Sequence, residues 1–381
     1  MTLSSFAAAG GGDPRPPLAM SAPDLDETDE AAVLAALRSG LLALGPSAER
    51  LELACADLAG ARHGVAVSSG TAGLHLIVRA LGLGEGDEVL VPSFTFAASA
   101  NAFIYEGASP IFVDIEPDTY NLDPSELSMR RTPKTAAVMV TDVFGHPADW
   151  NAIQDATPDL IVVDDCCEAI GATYGDRPLG SFGTAGCFAF YPNKQMTTGE
   201  GGMIVTDDSA LAALCRSLRN QGRSEMGAWL QHERLGFNYR MDELSAALGV
   251  SQIRRLDAFL AKRAKVAEMY RNRMADLDWV RLPIVKPHVT ISWFVYVITL
   301  SADVDREAII ESLASRGIPS RAYFPPLHLQ PYIRERFGTR EGMLPVTEDI
   351  ARRTLALPFH NNLTEAQVER VVAALKSARN S

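Results

Sequence analysis

Lys194 closes the run Phe188-Ala189-Phe190-Tyr191-Pro192-Asn193 and stands shortly before Thr197-Thr198-Gly199-Glu200-Gly201-Gly202. An amine at the end of a buried segment, followed by glycines that let backbone approach a ligand, is placed for Schiff-base chemistry. Read alone, the same lysine is ordinary solvated surface. Leu160-Ile161-Val162-Val163-Asp164-Asp165 is an apolar strand that ends on two carboxylates, at the edge where open α/β sheets bind ligands. Strand alternation sends these acids to opposite faces. Asp165 is then available to face a pyridine nitrogen and keep it protonated, while Asp164 is structural; in the competing reading both acids cap the following segment.

Two further stretches suit a phosphorylated ring. Val67-Ser68-Ser69-Gly70-Thr71-Ala72-Gly73 opens a helix with small residues, so Gly70 and Thr71 offer backbone N–H groups and a hydroxyl at the positive end of the helix dipole. An ordinary Ser or Thr N-cap has the same sequence. Pro92-Ser93-Phe94-Thr95-Phe96 follows a strand, where Phe96 or Phe94 either stacks on a flat heteroaromatic ring or packs into the core. By contrast, Gly82-Leu83-Gly84-Glu85-Gly86 lacks the third glycine at dinucleotide spacing and precedes a strand instead of a helix, so no dinucleotide fingerprint is present.

The elements that must position these groups are legible as alternating patterns. Apolar strands are expected at 88–92, 110–115, 136–141, 160–164, 187–191 and 202–206, with helices from Ser69 to Leu81 and from Ala97 to Tyr105. Short β-rich runs separated by helices imply an α/β domain whose mainly parallel sheet is covered on both faces. Residues 241–277 carry a helical period that reads as the connection to a second unit. That unit, a smaller C-terminal α+β domain, is expected to contain a strand at 293–300, a helix at 305–316, a strand at 318–324 and a terminal helix. The last helix opens on the capping-box signal Thr364-Glu365-Ala366-Gln367. The expected division is a flexible leader over 1–16, rich in Gly and Pro, a large domain over 17–250 and a small domain over 251–381.

A chain of 381 residues exceeds the usual single core, and 47% hydrophobic with 22% charged residues is ordinary for a globular protein. The formal charge of −12 opposes nucleic acid and anionic membrane surfaces, although a local basic pocket can still hold one diphosphate. Five cysteines without CxxC spacing point to neither a disulfide framework nor a metal site, and a reducing cytoplasm is the expected setting. The leader has no basic region or signal-length apolar run, and no later run reaches membrane-spanning length.

Taken in order, SSGTAG, PSFTF, VDDCCEAIGA, FAFYPNKQMTTGEGG and GFNYRMDELSAALG resemble the DegT-type nucleotide-sugar aminotransferases, a branch of the fold-type I pyridoxal 5'-phosphate (PLP) enzymes. The resemblance runs from about residue 17 to the C-terminus and includes Pro325-Pro326-Leu327-His328 and Leu357-Pro358-Phe359-His360. It implies that Lys194 is the Schiff-base lysine, Asp165 the pyridinium partner and Phe96 the ring stacked on PLP. Gly70 and Thr71 would bind the phosphate from one subunit and Asn238 from its neighbour, which implies a homodimer with shared active sites. The implied substrates are glutamate, as amino donor, and a nucleotide-linked keto sugar, with Arg240 and His328 as candidate substrate contacts. For Arg240 a solvated charged face is the alternative, and for His328, which lacks metal-ligand spacing, a surface or packing role.

Two positions depart from the family pattern. Ala189 stands where serine usually binds the phosphate, so one hydrogen bond is missing or passes through water. Glu168 replaces the usual glutamine or histidine near the cofactor's 3-oxygen and resembles the perosamine synthases, which aminate a GDP-linked 4-keto-6-deoxy sugar. A charged carboxylate there would be repelled, so Glu168 is expected to be protonated against the cofactor or turned toward solvent or substrate. The related PLP sugar dehydratases carry histidine in place of the lysine and so fit less well. An aminotransferase for a cyclitol or aminoshikimate-type ring, or a catalytically silent regulatory homologue, would share the same scaffold.

Overall fold

Apolar residues run nearly unbroken along the strands because both faces of the main sheet are covered. The computed structural model describes residues 16–224 and 231–379; residues 1–15 of the expected leader lie outside them. The strands are β1 (His63–Val67), β2 (Glu88–Pro92), β3 (Ser109–Val113), β4 (Thr135–Thr141) and β5 (Ile161–Asp165). A short detour through β6 (Thr173–Tyr174) and β7 (Arg177–Pro178) precedes β8 (Ala185–Ala189) and β9 (Gly202–Thr206). Seven of them make one sheet in the order β1-β9-β8-β5-β4-β2-β3. Pairing is parallel from β3 through to β8, and β9 alone runs the other way, antiparallel to both β8 and β1. The sheet is therefore mainly parallel, as expected.

Successive residues feed separate cores. Val65, Val89, Val91, Met139 and Val163 pack under the helices Gly70–Ala80 and Ala97–Tyr105, while Ala66, Leu90, Val138 and Val162 pack on the opposite face with Trp150 and Leu51. Period-two side-chain geometry with apolar residues on both faces accounts for the near-continuous hydrophobic runs. The strands β1, β2, β4, β5 and β8 all point their C-terminal ends to one edge, which is where the candidate residues collect.

The C-terminal unit has its own sheet. With β10 (Val280–Arg281), β11 (Val289–Thr290), β12 (Tyr296–Leu300) and β13 (Thr354–Leu357) introduced, the order of its three strands is β10-β12-β13, all antiparallel; β11 joins the β6–β7 hairpin instead. Helices Arg306–Ser315 and Glu365–Arg379 close a third apolar cluster over it. The capping box forms: Thr364 N donates to Gln367 Oε1 at 2.9 Å and Gln367 N to Thr364 Oγ1 at 3.3 Å.

The segment expected to be a strand at 318–324 is not one. It makes a single bridge, Arg321 with Ala356. Pro319 has no N–H to donate, Pro325 and Pro326 end the segment, and β12 takes β13 as its partner. The helical period over 241–277 resolves into two helices, Glu243–Ile253 and Leu256–Met274. The break falls at Arg255, whose φ of −108° and ψ of 7° leave the helical region, and whose guanidinium reaches out to Asp26 and Asp29.

The second of these helices belongs to both bodies. Leu256 and Phe259 sit in the core of the large unit, Val266, Ala267, Tyr270 and Met274 in that of the small one. Residues 16–26 also cross between them. Leu18 N donates to Gly317 O, Phe359 N donates to Met20 O, and Asp24 meets Lys262 of the long helix at 2.6 Å. Among the described residues no helix is long and apolar enough to cross a membrane.

Candidate active site

The cleft at the strand edge has a volume of ≈ 430 Å³, within the range of small-molecule sites, and gathers Gly70, Thr71, Phe96, Asp165, Glu168 and Lys194 in its walls. These six residues come from four separate stretches of chain, so the sheet, and no local motif, assembles them.

Gly70 and Thr71 lie in the first turn of helix Gly70–Ala80, where backbone N–H groups have no intrahelical acceptor. Ser69 is the N-cap and its hydroxyl already accepts from Ala72 N at 3.1 Å, so the remaining donors of this turn are left to the cleft. The approach is close on all sides. A Cβ on Gly70 would lie 2.7 Å from Ala189 Cβ and 3.0 Å from Cys167 Sγ; one on Gly202 would lie 2.7 Å from the Ser69 carbonyl carbon. Glycine at both positions is a packing requirement. Ala189 presents only a methyl group here, so the missing serine hydroxyl is a real difference in the wall.

Asp165 ends β5 and is 4% exposed. Its Oδ2 accepts from Ser99 Oγ at 2.5 Å and its Oδ1 from Cys167 N at 3.3 Å. Ser99 in turn meets Thr95 Oγ1 at 3.0 Å, and Thr95 meets Thr141 Oγ1 at 3.3 Å, a buried hydroxyl chain that fixes the carboxylate. Sequence reasoning missed Ser99. Its signal is a polar residue on the buried side of the otherwise apolar helix Ala97–Tyr105.

Lys194 projects from the loop after β8, with its backbone N–H on Tyr191 O at 2.9 Å. Its Nζ lies 3.8 Å from the centroid of the Phe294 ring and 3.6 Å from Glu168 Oε1. Phe294 was also absent from the sequence reading; it comes from the small unit, a hundred residues away, and carried no local signal. Glu168 is 6% exposed and accepts from Phe144 N at 2.9 Å. Burial pushes its carboxyl above the usual range, and the Lys194 ammonium opposes the shift. Of the alternatives expected for Glu168, the turn toward solvent is not taken: the hydrogen bond from Phe144 N holds the carboxyl inward, against the amine.

Phe96 is 62% exposed at the N-terminus of helix Ala97–Tyr105 and lines the cleft mouth, whereas Phe94 is fully buried among Tyr120, Phe144 and Phe324. Of the two aromatic candidates, Phe96 alone is free to meet a ligand.

Three expected residues are not brought to this cleft within one chain. Asn238 is exposed and pairs through its backbone with Asn220. Arg240 donates to Asn220 Oδ1 at 2.9 Å beside a separate hollow that also contains Glu52 and Arg219. His328 is corrected outright: it is fully buried, its Nδ1 sharing a hydrogen with Ser93 Oγ at 2.7 Å and its Nε2 with Glu348 Oε1 at 3.0 Å. Both ring nitrogens are committed, so the residue ties the Pro325–His328 turn to the end of β2 and has none left for a sugar.

Comparison with known proteins agrees with this architecture. Over 370 residues the chain is 38% identical to GDP-perosamine synthase of Caulobacter vibrioides, taking in 94% of this chain and 98% of that protein. The crystal structure of DesV from S. venezuelae in complex with a ketimine intermediate superposes with a TM-score of 0.90 at 34% identity, covering 96% of this chain and 100% of the other. Spr1654 from Streptococcus pneumoniae in its PLP form gives a TM-score of 0.90 at 26% identity over 96% and 99% of the two chains. The family model for these proteins matches from residue 23 to residue 376, and the chain belongs to the DegT/DnrJ/EryC1/StrS aminotransferase family.

Proposed function

We propose that this protein transfers the amino group of glutamate to a nucleotide-linked keto sugar, a 4-keto-6-deoxy hexose, through pyridoxal phosphate bound at Lys194, giving an amino sugar for polysaccharide or glycoconjugate synthesis. The observation that carries the reading is the meeting of Lys194 and Asp165 in one buried cleft whose floor is a helix N-terminus too tight for any Cβ at Gly70. The donor set fits the cofactor. Gly70 and Thr71 suit its phosphate, Asp165 suits a protonated ring nitrogen, and the exposed face of Phe96 suits its ring. When bound, PLP supplies an electron sink for negative charge at the carbon bearing the amine.

The chain's own residues supply the rest. Lys194 Nζ would hold the cofactor covalently and, when free, would serve as the base and acid that carries a proton at that same nitrogen. The Phe294 ring, its centroid 3.8 Å from Nζ, covers the amine on one side and shields it from water. Glu168 Oε1, 3.6 Å away and raised by burial, is able to take up the proton that Lys194 must shed before it attacks. The hydroxyl chain through Ser99 keeps Asp165 oriented throughout. Asn238 of a second copy completes the phosphate site, so the working unit is a homodimer acting in the cytoplasm.

Removing the amine tests the assignment. Lys194→Ala should lose both the visible absorbance of the lysine-bound cofactor and multiple turnover, and normal turnover in that variant would refute it. In the unmodified protein, glutamate alone should discharge that absorbance, and GDP-, dTDP- and UDP-linked keto sugars should then restore it to different extents. Turnover with dTDP or UDP sugars and none with GDP sugars removes the perosamine-type substrate. No response to any of the three, with a cyclitol ketone active, removes the nucleotide sugar altogether.

A further inference from the structure

Arg263 is 2% exposed, a rare position for a guanidinium, halfway along the helix Leu256–Met274 that joins the two units. Its two terminal nitrogens donate to main-chain carbonyls, while Nε meets no acceptor among the described residues. Nη1 reaches Trp293 O and Phe294 O, each at 3.1 Å, and Nη2 reaches Lys194 O at 2.9 Å and Asn193 O at 3.5 Å. Burial draws its pKa down to about 10, opposed by the charge of Asp24, so the group stays a cation at neutral pH.

The identity of those carbonyls matters more than their number. One pair belongs to the loop that carries the amine of Lys194; the other belongs to the segment that carries the Phe294 ring 3.8 Å from that amine. Trp293, between the two, sits at a φ of 49°, a strained value for a bulky residue that the surrounding bonds must hold. The neighbouring Gln195 repeats the pattern one residue on, donating from Nε2 to Glu168 O at 2.6 Å and to Ser292 Oγ at 2.8 Å. Loop 193–195 and segment 292–294 are thus sewn together along their length, and Arg263 holds the end nearest the amine.

We propose that Arg263 is a positioning residue for Lys194, fixing the lysine's main chain and the ring above it relative to one another so that Nζ is held at the reacting position. The proposal rests on reading Lys194 as the amine that takes the cofactor. A lysine in place of Arg263 keeps the charge but offers one short-reaching point donor where the planar fork serves two segments at once. Arginine is therefore required for the geometry, and charge alone does not suffice.

The test uses the full chain with added PLP. Borohydride fixes the cofactor on whichever amine holds it, and peptide mapping then reports the rate of fixation at position 194 independently of turnover. In Arg263→Lys with an unchanged thermal melt, we expect this rate and kcat to fall by about 10- to 100-fold, the range for an ångström-scale misplacement, with KM for the sugar nucleotide within about twofold. Wild-type fixation and wild-type kcat in that variant would overturn the proposal. Phe294→Leu leaves Arg263 and its carbonyls in place and guards against an Arg263 variant that does not fold. It should slow fixation by itself, and in the double variant the two losses should not multiply, because both act on the same placement. Fully multiplicative losses, or a wild-type rate in Phe294→Leu, would also overturn it. If the unmodified protein is never fixed at position 194, the failure lies with the lysine assignment; fixation there with unaffected variants defeats only the role of Arg263.

Discussion

Asp164 shows how one residue along a strand can separate two roles. Asp165 faces the cleft, and Asp164, on the other side of β5, is fully buried against Asp142. Asp142 accepts from Ala148 N at 2.7 Å and Asp164 from Gly180 N at 2.8 Å. Among the described residues no other donor reaches Asp142 Oδ2 or Asp164 Oδ1, so a proton held between the two acids satisfies both. Burial raises Asp164 to about 7 and raises Asp142 further, with the charge of Asp164 adding to burial for Asp142. Folded carboxyls raised above their unfolded values stabilise most below the unfolded pKa, and that stability is lost as pH climbs through the folded one. The urea midpoint should therefore fall as pH rises from the ordinary carboxylate range through about 7. Asp164→Asn, whose amide can donate to Asp142, should be flatter over that window. An equally steep decline in the variant would mean that the pair is not the titrating group. At this scale alternation correctly sent the two acids to opposite faces, Asp165 to the cleft and Asp164 to Gly180. It could not show that Glu168 is held inward or that His328 is fully committed, because both depend on residues twenty or more positions away.

At the scale of elements, legibility followed local signals. Strands β2 and β9 and helix Ala97–Tyr105 fall where their patterns put them, and Asp305 and Thr364 open helices as their side chains predict. β1 was missed because His63-Gly64 dilutes its short apolar run, and β13 because its four residues sit between a helix and Pro358. One cap could not be read at all. Helix Pro46–Leu58 starts at Gly45, which has no side chain to cap it, and Glu243 from the helix Glu243–Ile253 does so instead. Its carboxylate accepts from Ser47 N at 2.8 Å, Ala48 N at 3.0 Å and Gly45 N at 3.2 Å. A negative charge facing three first-turn N–H groups is favourable both as acceptor and against the helix dipole. Glu243→Ala should lower stability by roughly 2 kcal/mol, with Glu243→Gln intermediate, in chemical denaturation. Equal stability of all three proteins would show that water caps this helix as well as Glu243 does.

For the whole molecule, the length of the chain pointed to two units and its composition to a globular protein, and the proposed sharing of sites between two chains turns on one residue. Asn238 stands away from the cleft within its own chain. If each site borrows it from a neighbour, Lys194→Ala and Asn238→Ala subunits are both inactive alone and complement when mixed. Random reassociation leaves half the dimers mixed, each with one intact site and one doubly defective site, so about a quarter of wild-type activity should return. Recovery of none of it on mixing would place Asn238 within its own subunit's chemistry or outside catalysis.

The strap formed by residues 16–26 bears on how the molecule is made. Its backbone partners, Gly317 and Phe359, leave the ribosome roughly 300 residues after it does, by which time the large sheet has long been available to condense. Its first part, around Leu18 and Met20, is thus among the last to settle, whereas Asp24 and Asp26 find Lys262 and Arg255 earlier. A nascent chain halted before residue 317 has nothing for Leu18 to bind, and until the C-terminal unit arrives this segment remains open to chaperones and proteases.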